Sequence, residues 1–389
     1  MKRTKRILAA VLSLVLIATL FSACGKKAEA KETVKILNNH ESLCLAPIHI
    51  AIANGYLDEE FKKIGQKYEL VNSNIDTVTE QISSKEINAG YGLTGSLMQP
   101  ISNGLDIVFT TGLHTGCTKY YVKADSNIKS LKDLKGKKIG VPSLADSSVI
   151  NLKRKLNDLG FKVNGDKADV TFAAYNMPDL PAALDNGGVD AIGIHDPVAT
   201  TAERSYHFRK ILDVGEDAKF KNEYCCQAYV SGSLYRTNPE GAAAYTRAMQ
   251  KAAAYIEAEP YEAAKIQIAK GYMPGPASEN AKNNGDILAS FNFTPSVTLG
   301  RKTFSSSFKD LQKTGDLPKT LNEKEFTEKV YPTLKGVPES YTYDPETKTF
   351  KEEKSAQTRA HASAAVEAAA KAPAKKTTKK VEKTHDCCG

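Results

Sequence analysis

Three stretches near the amino terminus decide the fold class: VKILNN (residues 34–39), APIHIAIANGYLDEEFKKIG (residues 46–65) and YELVNS (residues 68–73). The first and third are short runs of residues that favour strands, whereas the middle stretch has the apolar periodicity of an amphipathic helix. A strand, a helix and a second strand in this order predict a βαβ unit, in which both strands lie parallel in one sheet.

The same alternation continues along the chain and predicts an α/β protein built from two similar units. The further stretches are DTVTEQISSKE, AGYGLT, SLMQPISNG and DIVFTTGLH in the first unit, then KIGVP, a helix near residues 148–159, VTFAAY, PDLPAALDNGG and AIGIH in the second. In each unit we expect a mostly parallel sheet flanked by helices, with ligands bound beyond the carboxyl ends of the strands. From Pro239 to about Gly336 the pattern predicts helices separated by Pro and Gly turns.

This order predicts two lobes joined by two crossover strands that act as a hinge. Lobe 1 is expected to contain residues 34–122 and, after the chain returns, residues 227–353 with a helical end, whereas lobe 2 contains residues 123–226. The crossings are expected near residues 119–123 and 227–232. Two lobes joined in this way can close with few dihedral changes, and a ligand in the cleft then contacts both of them.

The charge distribution argues against a nucleic-acid partner. The formal net charge is +8, but the residues before Cys24 carry +4 and residues 354–389 carry +5, which leaves −1 for residues 24–353. The basic excess therefore belongs to the two ends of the chain, whose compositions are typical of export and disorder.

The amino terminus resembles the signal of a bacterial lipoprotein. A basic MKRTKR is followed by a 14-residue apolar run, too short for a comfortable membrane span, and then by FSAC (residues 21–24). The resemblance implies removal of residues 1–23 and acylation of Cys24 with diacylglycerol and palmitate, followed by a tether over residues 24–33. Two or more acyl chains would hold the protein on the outer side of the cell membrane. An uncleaved anchor and an ordinary secretory cut are the alternatives.

The carboxyl-terminal tail, residues 354–389, is rich in Ala, Lys, Thr and Pro and has no aromatic residue. Such a composition cannot bury enough apolar surface to offset the entropy of ordering, and it predicts disorder. The tail ends in HDCCG, with His385, Cys387 and Cys388. This end is either an inert, solvated terminus or a flexible arm that collects a soft metal ion.

Four stretches carry a resemblance to a known family. They are APIHIAIANGYLDEEFKKIG, IKSLKDLKGKKIGVP, LDNGGVDAIGIHDP and NPEGAAAYTRAMQKAAAYIEAEP. In this order and spacing they resemble the substrate-binding proteins of ABC importers, in the branch that includes nitrate, sulfonate, taurine and thiamine-precursor binders. The resemblance implies a type II periplasmic-binding-protein fold and a monomer that has no catalytic activity. It also implies that the two lobes close on a small molecule and deliver it to a permease and its ATPase.

The resemblance places ligand contacts in the loops that follow strands, and these loops hold most of the cysteines and histidines. The candidate ligand contacts are His40, Cys44, Thr94, Gly95, Ser96, His114, Cys117, Ser143, Ser147, Ser148, His195, Asp196, Cys225 and Cys226. Soft sulfur and nitrogen donors from separate loops favour a transition metal, or a metal-bearing cofactor, as the cargo. The donors in such a site would be His40, Cys44, His114, Cys117, His195, Cys225 and Cys226.

Other interpretations of the cysteines stay open. A free cysteine is often an inert part of a core, and Cys117 could instead form a disulfide with Cys225 or Cys226 across the two crossing segments. In a regular strand Cys225 and Cys226 would point to opposite faces, and only a bulge or turn would let both reach the cleft. With structural cysteines, the ligand would be a small organic molecule or anion: a sulfonate, taurine, nitrate or a thiamine pyrimidine precursor.

The chain also departs from the family that it resembles. Many sulfonate and nitrate binders have a tryptophan beside the proline that corresponds to Pro197, and this chain has none. Asp146 adds negative charge to a loop whose helix N-terminus could otherwise hold an anion. Pyrimidine synthases of thiamine biosynthesis are similar to these binders, but their longer cysteine run is only partly matched by YCC (residues 224–226). An enzyme is therefore not expected, and a surface sensor is a further alternative.

Overall fold

The computed structural model describes residues 31–40, 42–73, 77–273 and 277–353. The predicted signal peptide, the predicted acylation site Cys24 and the tail of residues 354–389 lie outside these described residues. Within the described ranges, no helix is both long and apolar enough to cross a membrane.

The first sheet has five strands: β1 (Val34–Asn38), β2 (Tyr68–Asn72), β3 (Ala89–Leu93), β4 (Ile107–Thr115) and β10 (Tyr224–Ser231). Their order across the sheet is β2-β1-β3-β10-β4. β1 pairs in parallel with β2 and β3, whereas β10 runs antiparallel to both of its neighbours.

The second sheet has the same plan. Its strands are β5 (Thr118–Val122), β6 (Lys137–Val141), β7 (Val170–Ala174), β8 (Ala191–His195) and β9 (Arg209–Asp213). They lie in the order β7-β6-β8-β5-β9, with β6 parallel to β7 and β8, and with β5 antiparallel to β8 and β9. Each sheet thus has one antiparallel strand among parallel ones, and the predicted α/β fold with two mostly parallel sheets is confirmed.

Helices flank both sheets. Those between the strands are α1 (Ala46–Ala53), α2 (Tyr56–Lys63), α3 (Val78–Ser83), α4 (Thr94–Ser102), α5 (Ser147–Asp158), α6 (Leu180–Asp185) and α7 (Val198–Tyr206). After β10 come α8 (Gly232–Thr237), α9 (Pro239–Ala258), α10 (Pro260–Ala269), α11 (Ala277–Ser290), α12 (Val297–Thr314) and α13 (Glu323–Val330). The single helix predicted over residues 46–65 is broken at Gly55, whose φ of 72° lies in the left-handed region that favours glycine.

The chain passes between the sheets earlier than predicted. Residues 119–123, expected to cross between lobes, lie almost entirely in β5 and therefore in the second sheet. The first crossing is the short link at Gly116 and Cys117, and the second runs through residues 214–223. Because β4 and β5 are both fully buried and separated by only two residues, composition gives no sign of where one lobe ends.

The end of the described chain also differs from the prediction. Instead of remaining helical, it forms an antiparallel hairpin of β11 (Ser340–Asp344) and β12 (Thr349–Glu353). Alternating aromatic residues on this hairpin pack on the helical layer of lobe 1: Phe350 contacts Tyr56 at a ring separation of 5.1 Å, and Tyr343 contacts Tyr255 at 5.0 Å. The period-2 alternation was the signal for these strands.

Candidate functional site

Cys225 is a bulged residue in β10. In the register between β10 and β4, Tyr224 pairs with Thr115 and Cys226 pairs with His114, so Cys225 is one extra residue on its strand. A bulge of this kind changes the direction of a side chain. As a result, Cys225 Sγ lies 2.8 Å from Cys117 Sγ, and Cys226 is also close enough to raise the pKa of Cys117. Adjacent residues of a regular strand would instead point to opposite faces.

Four thiols meet at the edge of the lobe 1 core, and we call Cys44, Cys117, Cys225 and Cys226 the thiol cluster. Cys44, Cys117 and Cys226 are buried in the apolar core of lobe 1, Cys225 packs against it, and Cys117 contacts His195 of lobe 2. The four thiols come from three segments: the turn before α1, the first crossing, and β10. The Sγ atoms of Cys117 and Cys225 are 2.8 Å apart, and Cys117 and Cys226 lie close enough to Cys44 to lower the pKa of its thiol. All four cysteines are free, and only Cys225 is more than marginally exposed.

The sulfur atoms of the thiol cluster have different proton affinities. The hydrogen bond from Cys117 holds the pKa of Cys44 and of Cys225 well below the usual value for a thiol. The bond to Cys225, together with burial, raises the pKa of Cys117 well above it. Cys44 and Cys225 therefore release their protons more readily than Cys117 does. The thiolate is the form of cysteine that binds metal ions or attacks disulfides.

His114 lies beside the thiol cluster and is fully buried. Its Nδ1 is 3.2 Å from the carbonyl oxygen of Thr115, and its Nε2 has no nitrogen or oxygen partner among the described residues. Burial alone would lower the pKa of His114, but the neighbouring Cys44 raises it. A ring that donates Nδ1–H to a backbone carbonyl presents Nε2 to its neighbour, which here is a thiol.

His195 reaches the thiol cluster from lobe 2, but it is already paired. Its Nε2 is 2.9 Å from Asp146 Oδ1, and its Nδ1 is 3.2 Å from Thr118 Oγ1 and 3.7 Å from Cys117 Sγ. Burial alone would lower the pKa of His195, but the carboxylate of Asp146 raises it to about 10. An imidazolium has no free lone pair for a metal ion, so His195 provides positive charge beside Cys117 rather than a ligand.

Two other residues of the predicted site lie away from the thiol cluster or have a structural role. His40 contacts the ring of Tyr272 at a centroid distance of 5.1 Å, and its Nε2 is 3.4 Å from the side chain of Asn38. Asp196 is completely buried and accepts a hydrogen bond from Lys119 Nζ at 2.7 Å. Because Asp196 also accepts from the backbone N–H of Thr200 at 2.9 Å, it stabilises the start of α7.

The predicted hydroxyl groups lie where α4 and α5 begin, one helix in each lobe. Thr94 Oγ1 donates to the carbonyl oxygens of Tyr224 and Cys225 at 3.2 and 3.3 Å, and thereby holds the bulge. The side-chain hydroxyls of Ser96, Ser147 and Ser148 are buried and have no hydrogen-bond partner among the described residues.

A cavity of about 130 Å³ lies between these two helix starts. Lobe 1 contributes Ser96 and several apolar side chains, including Leu97, to its wall, and lobe 2 contributes Ser143 and Asp146. The cavity wall therefore has hydroxyl groups and one carboxylate, that of Asp146. Asp146 contacts His195, and His195 in turn contacts Cys117 of the thiol cluster.

The sequence analysis missed the residues that join the lobes. Ile150 of α5 is buried in the apolar cluster of lobe 1, and Arg154, one turn further along, donates to Asp310 and Glu223 at 3.0 Å each. Arg154 is only 3% exposed. The signal in the sequence was weak, because a basic residue on an amphipathic helix usually lies in solvent.

In its described conformation, the site is not preformed for a metal ion. No group of three or more Cys, His, Asp or Glu side chains in the described ranges could hold an ion as it stands. The physical reason is visible in the 2.8 Å contact between Cys117 and Cys225. Sulfurs at about 2.3 Å from a tetrahedral ion would be roughly 3.8 Å apart. The two thiols would have to separate by about 1 Å to admit one.

A model of the NMT1/THI5-like family matches residues 44–263, which is more than half of the chain. The chain belongs to the NMT1/THI5-like family. The matched region begins at Cys44 and contains the whole thiol cluster, together with His114, Asp146 and His195. The family resemblance predicted from the sequence is thus confirmed.

One sequence relative and two solved structures are similar to this chain. A protein of Haemophilus influenzae whose name refers to thiamine biosynthesis is 25% identical over 308 residues, which cover 76% of this chain and 92% of the relative. The nitrate-binding protein NrtA of Synechocystis has a TM-score of 0.62 at 14% identity, over 78% of this chain and 87% of NrtA. The alkanesulfonate-binding protein SsuA of Xanthomonas axonopodis has a TM-score of 0.60 at 17% identity, over 76% and 98%. The chain therefore has the two-lobed fold of the periplasmic binding proteins.

Proposed function

We propose that this protein is the extracytoplasmic ligand-binding component of an ABC importer, and that its cargo is a thiophilic metal ion or a small metal complex. The observation that carries the second part is the convergence of the thiol cluster between the lobes, with His114 Nε2 beside it and without an oxygen or nitrogen partner. Sulfur and imidazole donors prefer soft and borderline ions over magnesium or calcium.

The positions of the donors couple such an ion to closure of the lobes. Cys44, Cys226 and His114 belong to lobe 1, and Cys117 and Cys225 lie at the two ends of the crossing segments. Lobe 2 adds His195, whose positive charge is 3.7 Å from Cys117 Sγ. When the bound thiolates outnumber the charges of the ion, the loaded cluster keeps a net negative charge and would attract lobe 2 more strongly than neutral thiols do. This differential attraction is what a ligand needs in order to favour the closed form.

The anchor and the partners complete the proposal. Cys24 and the signal before it lie outside the described residues, and the FSAC sequence supports acylation at Cys24. The protein would then be a lipid-anchored monomer on the outer side of the cell membrane, and it would pass its cargo to a permease powered by an ATPase. We assign no catalytic residue, and the proposal is for a binding protein rather than an enzyme.

A small organic ligand is the second candidate, and the cavity of about 130 Å³ between α4 and α5 favours it. The buried hydroxyl of Ser96 lines this cavity and has no hydrogen-bond partner among the described residues, so a polar ligand could satisfy it. The described residues that line the cavity include no Lys or Arg, and the Asp146 carboxylate in the wall already pairs with His195, so the wall provides no cation for nitrate or a sulfonate. Among small molecules, a neutral or cationic one fits better.

The experiment that separates the two candidates is native mass spectrometry of the chain purified without oxygen. A bound metal that disappears in the Cys44→Ser and Cys226→Ser variants supports the metal cargo. A His40→Ala variant is the control, because His40 lies away from the thiol cluster and should leave the bound mass unchanged. An organic adduct that survives the cysteine substitutions would refute the metal cargo and support the second candidate.

A further inference from the structure

We infer that Cys117 and Cys225 form a reversible disulfide, and that Cys225 is the thiol through which an external disulfide oxidises the pair. The inference concerns the state of the protein and goes beyond the proposed cargo. It stands on three features of the thiol cluster: the distance between two sulfurs, the difference in their exposure, and the segments on which they lie.

The first feature is distance. Cys117 Sγ and Cys225 Sγ are 2.8 Å apart, so the two side chains already face each other directly. The bulge in β10 is what turns Cys225 towards the first crossing, and Thr94 fixes the bulge by donating to the carbonyl oxygens of Tyr224 and Cys225. A bond between Cys117 and Cys225 would therefore need little movement of either side chain.

The second feature is exposure. Cys44, Cys117 and Cys226 are at most 7% exposed, whereas Cys225 is half-buried. Cys225 lines a narrow depression with Gly95 and Ser147 at the surface between the lobes. A reagent from solution consequently meets Cys225 before it meets any other member of the thiol cluster, and access decides which thiol reacts.

The reaction is thiol–disulfide exchange, and its electrons balance without any group from the protein other than the two thiols. The Cys225 thiolate attacks one sulfur of an external disulfide and displaces a thiolate, which leaves a mixed disulfide on Cys225. The Cys117 thiolate then attacks the sulfur of Cys225 and displaces the second thiolate. The protein loses two electrons and two protons, and one external disulfide becomes two thiols. An excess of external thiol reverses both steps.

The third feature is position. Cys117 lies in the first crossing between the sheets, and Cys225 lies directly after the second, so the bond would staple the two segments on which the lobes move. It would also remove two of the four thiols from the cluster. The compartment outside the cell membrane, where we propose that the protein works, is one in which disulfides form and persist. The dithiol and disulfide forms would thus be ligand-competent and ligand-incompetent forms of one protein.

The test is peptide mapping of the full chain after equilibration with oxidised glutathione, alkylation of the remaining thiols and digestion with trypsin without reduction. Cys117 lies in the tryptic peptide of residues 86–119, and Cys225 lies with Cys226 in the peptide of residues 222–236. We expect one cross-linked species that joins these two peptides, is lost in Cys225→Ser and is retained in Cys226→Ser. Reduced glutathione should return it to the two free peptides.

Two results would overturn the inference. One is a cross-link that survives Cys225→Ser and is lost in Cys226→Ser, because the partner of Cys117 would then be the wrong thiol. The other is a chain in which Cys225 stops at the mixed disulfide with glutathione, even though Cys117 remains free. The first result comes from comparing the Cys225→Ser and Cys226→Ser variants. The second comes from the unsubstituted chain alone.

A parallel measurement keeps this inference separate from the proposed function. If the cargo is a metal, Zn²⁺ titrated into the oxidised chain should bind more weakly than to the reduced chain by at least roughly tenfold. A cross-link that forms normally in a chain without affinity for Zn²⁺ or Cu⁺ in either state would support the disulfide and refute the metal cargo. Affinity for either ion in a chain that forms no cross-link would support the metal cargo and refute the disulfide.

Discussion

Gly95 of α4 and Ile150 of α5 are in direct contact across the boundary between the lobes: a Cβ built on Gly95 would lie 2.9 Å from Cγ2 of Ile150. Ile150 is a residue of lobe 2, yet it is buried in the apolar cluster that contains Leu97 and Phe304 of lobe 1. The described conformation is therefore a closed one, and glycine at position 95 is what allows α5 to approach α4.

The first prediction follows from this contact. Gly95→Val should hold the lobes apart, because the β-branched side chain of Ile150 has little rotamer freedom with which to avoid the new methyl groups. We expect a larger radius of gyration in small-angle X-ray scattering and weaker binding of the ligand. Loss of helix propensity cannot explain the effect, since valine is a better helix former than glycine.

The matched control for Gly95→Val is the double variant that also carries Ile150→Ala. Removing the side chain that clashes should restore much of the closed form, and a double-mutant cycle then measures the coupling between the two positions. An unchanged scattering profile for Gly95→Val alone would show that this contact does not set the angle between the lobes.

The second prediction concerns Arg154, which links α5 to Asp310 of α12 and to Glu223 of the second crossing. Arg154→Met keeps much of the apolar stem but removes the cation beside Glu223, whereas Asp310 keeps Lys219 at 2.8 Å. Breaking a fully uncompensated buried pair typically costs about 3–5 kcal/mol, so the loss should lie at or below the lower end of this range. Urea unfolding should show this loss. Arg236→Met is the control, because Arg236 pairs with Asp106 and both side chains are mostly exposed. Exposed pairs of this kind contribute about 1 kcal/mol or less to stability.

The pH dependence of this second effect has a definite sign. Burial alone would raise the pKa of Asp310, but Lys219 and Arg154 lower it. A carboxyl group with a lowered pKa contributes stability above its unfolded pKa of about 4, and this contribution is lost as the pH falls. The difference between Arg154→Met and the unsubstituted chain should therefore be smaller in acid than at neutral pH. An equal difference at both would contradict the assigned ion pair.

Sequence patterns were sufficient for the two five-stranded sheets, because period and turn residues are local properties. Residue type and expected position selected Cys44, Cys117, Cys225 and Cys226 as candidates, although Cys225 and Cys226 lie in β10 rather than in a loop. They could not give the roles of His40 and His195, because each depends on a neighbour from a distant segment: Tyr272 for His40 and Asp146 for His195.

Local sequence patterns could not predict features that depend on strand register or on contact between the lobes. The bulge at Cys225 exists only relative to the strand beside it, and no pattern within YCC specifies an extra residue. The burial of Ile150 and Arg154 depends on how closely α5 approaches lobe 1, which is a property of the assembled fold. Such contacts between distant segments override what the helix pattern alone predicts.

The third prediction concerns the pair of Asp146 and His195. Asp146→Asn keeps a side chain able to accept the hydrogen bond from Ser148 N–H at the start of α5, where asparagine caps as well as aspartate. It removes the charge that raises the pKa of His195 to about 10. A histidine with a raised pKa contributes stability below its unfolded pKa of about 6.5 and loses it as the pH rises through the folded value.

The loss of unfolding free energy in Asp146→Asn should accordingly be largest at about pH 6, and it should shrink as the pH rises to about 10.5. Urea unfolding of variant and unsubstituted chain at each pH gives the difference directly, and the imidazole signal of His195 in NMR should titrate at a lower pH in the variant. If the His195 titration were the same in both proteins, Asp146 would not be the source of the shift.

The last prediction compares His114 with His40, two histidines that the sequence placed in one metal site and the structure separates. His114→Phe preserves an aromatic ring beside Phe291 and Phe293, with which His114 packs at 5.7 and 5.1 Å, but removes the Nε2 that faces Cys44. If His114 is a ligand, affinity for Cu⁺ or Zn²⁺, measured against a competing chelator, should fall by more than the roughly 10- to 100-fold that an outer-shell partner typically costs. His40→Phe changes a ring of the same size near Tyr272 and should leave the affinity within about twofold, a difference of roughly 0.4 kcal/mol. Equal losses in the two variants would mean that His114 acts through folding rather than through coordination, because only one of the two rings lies against a thiol.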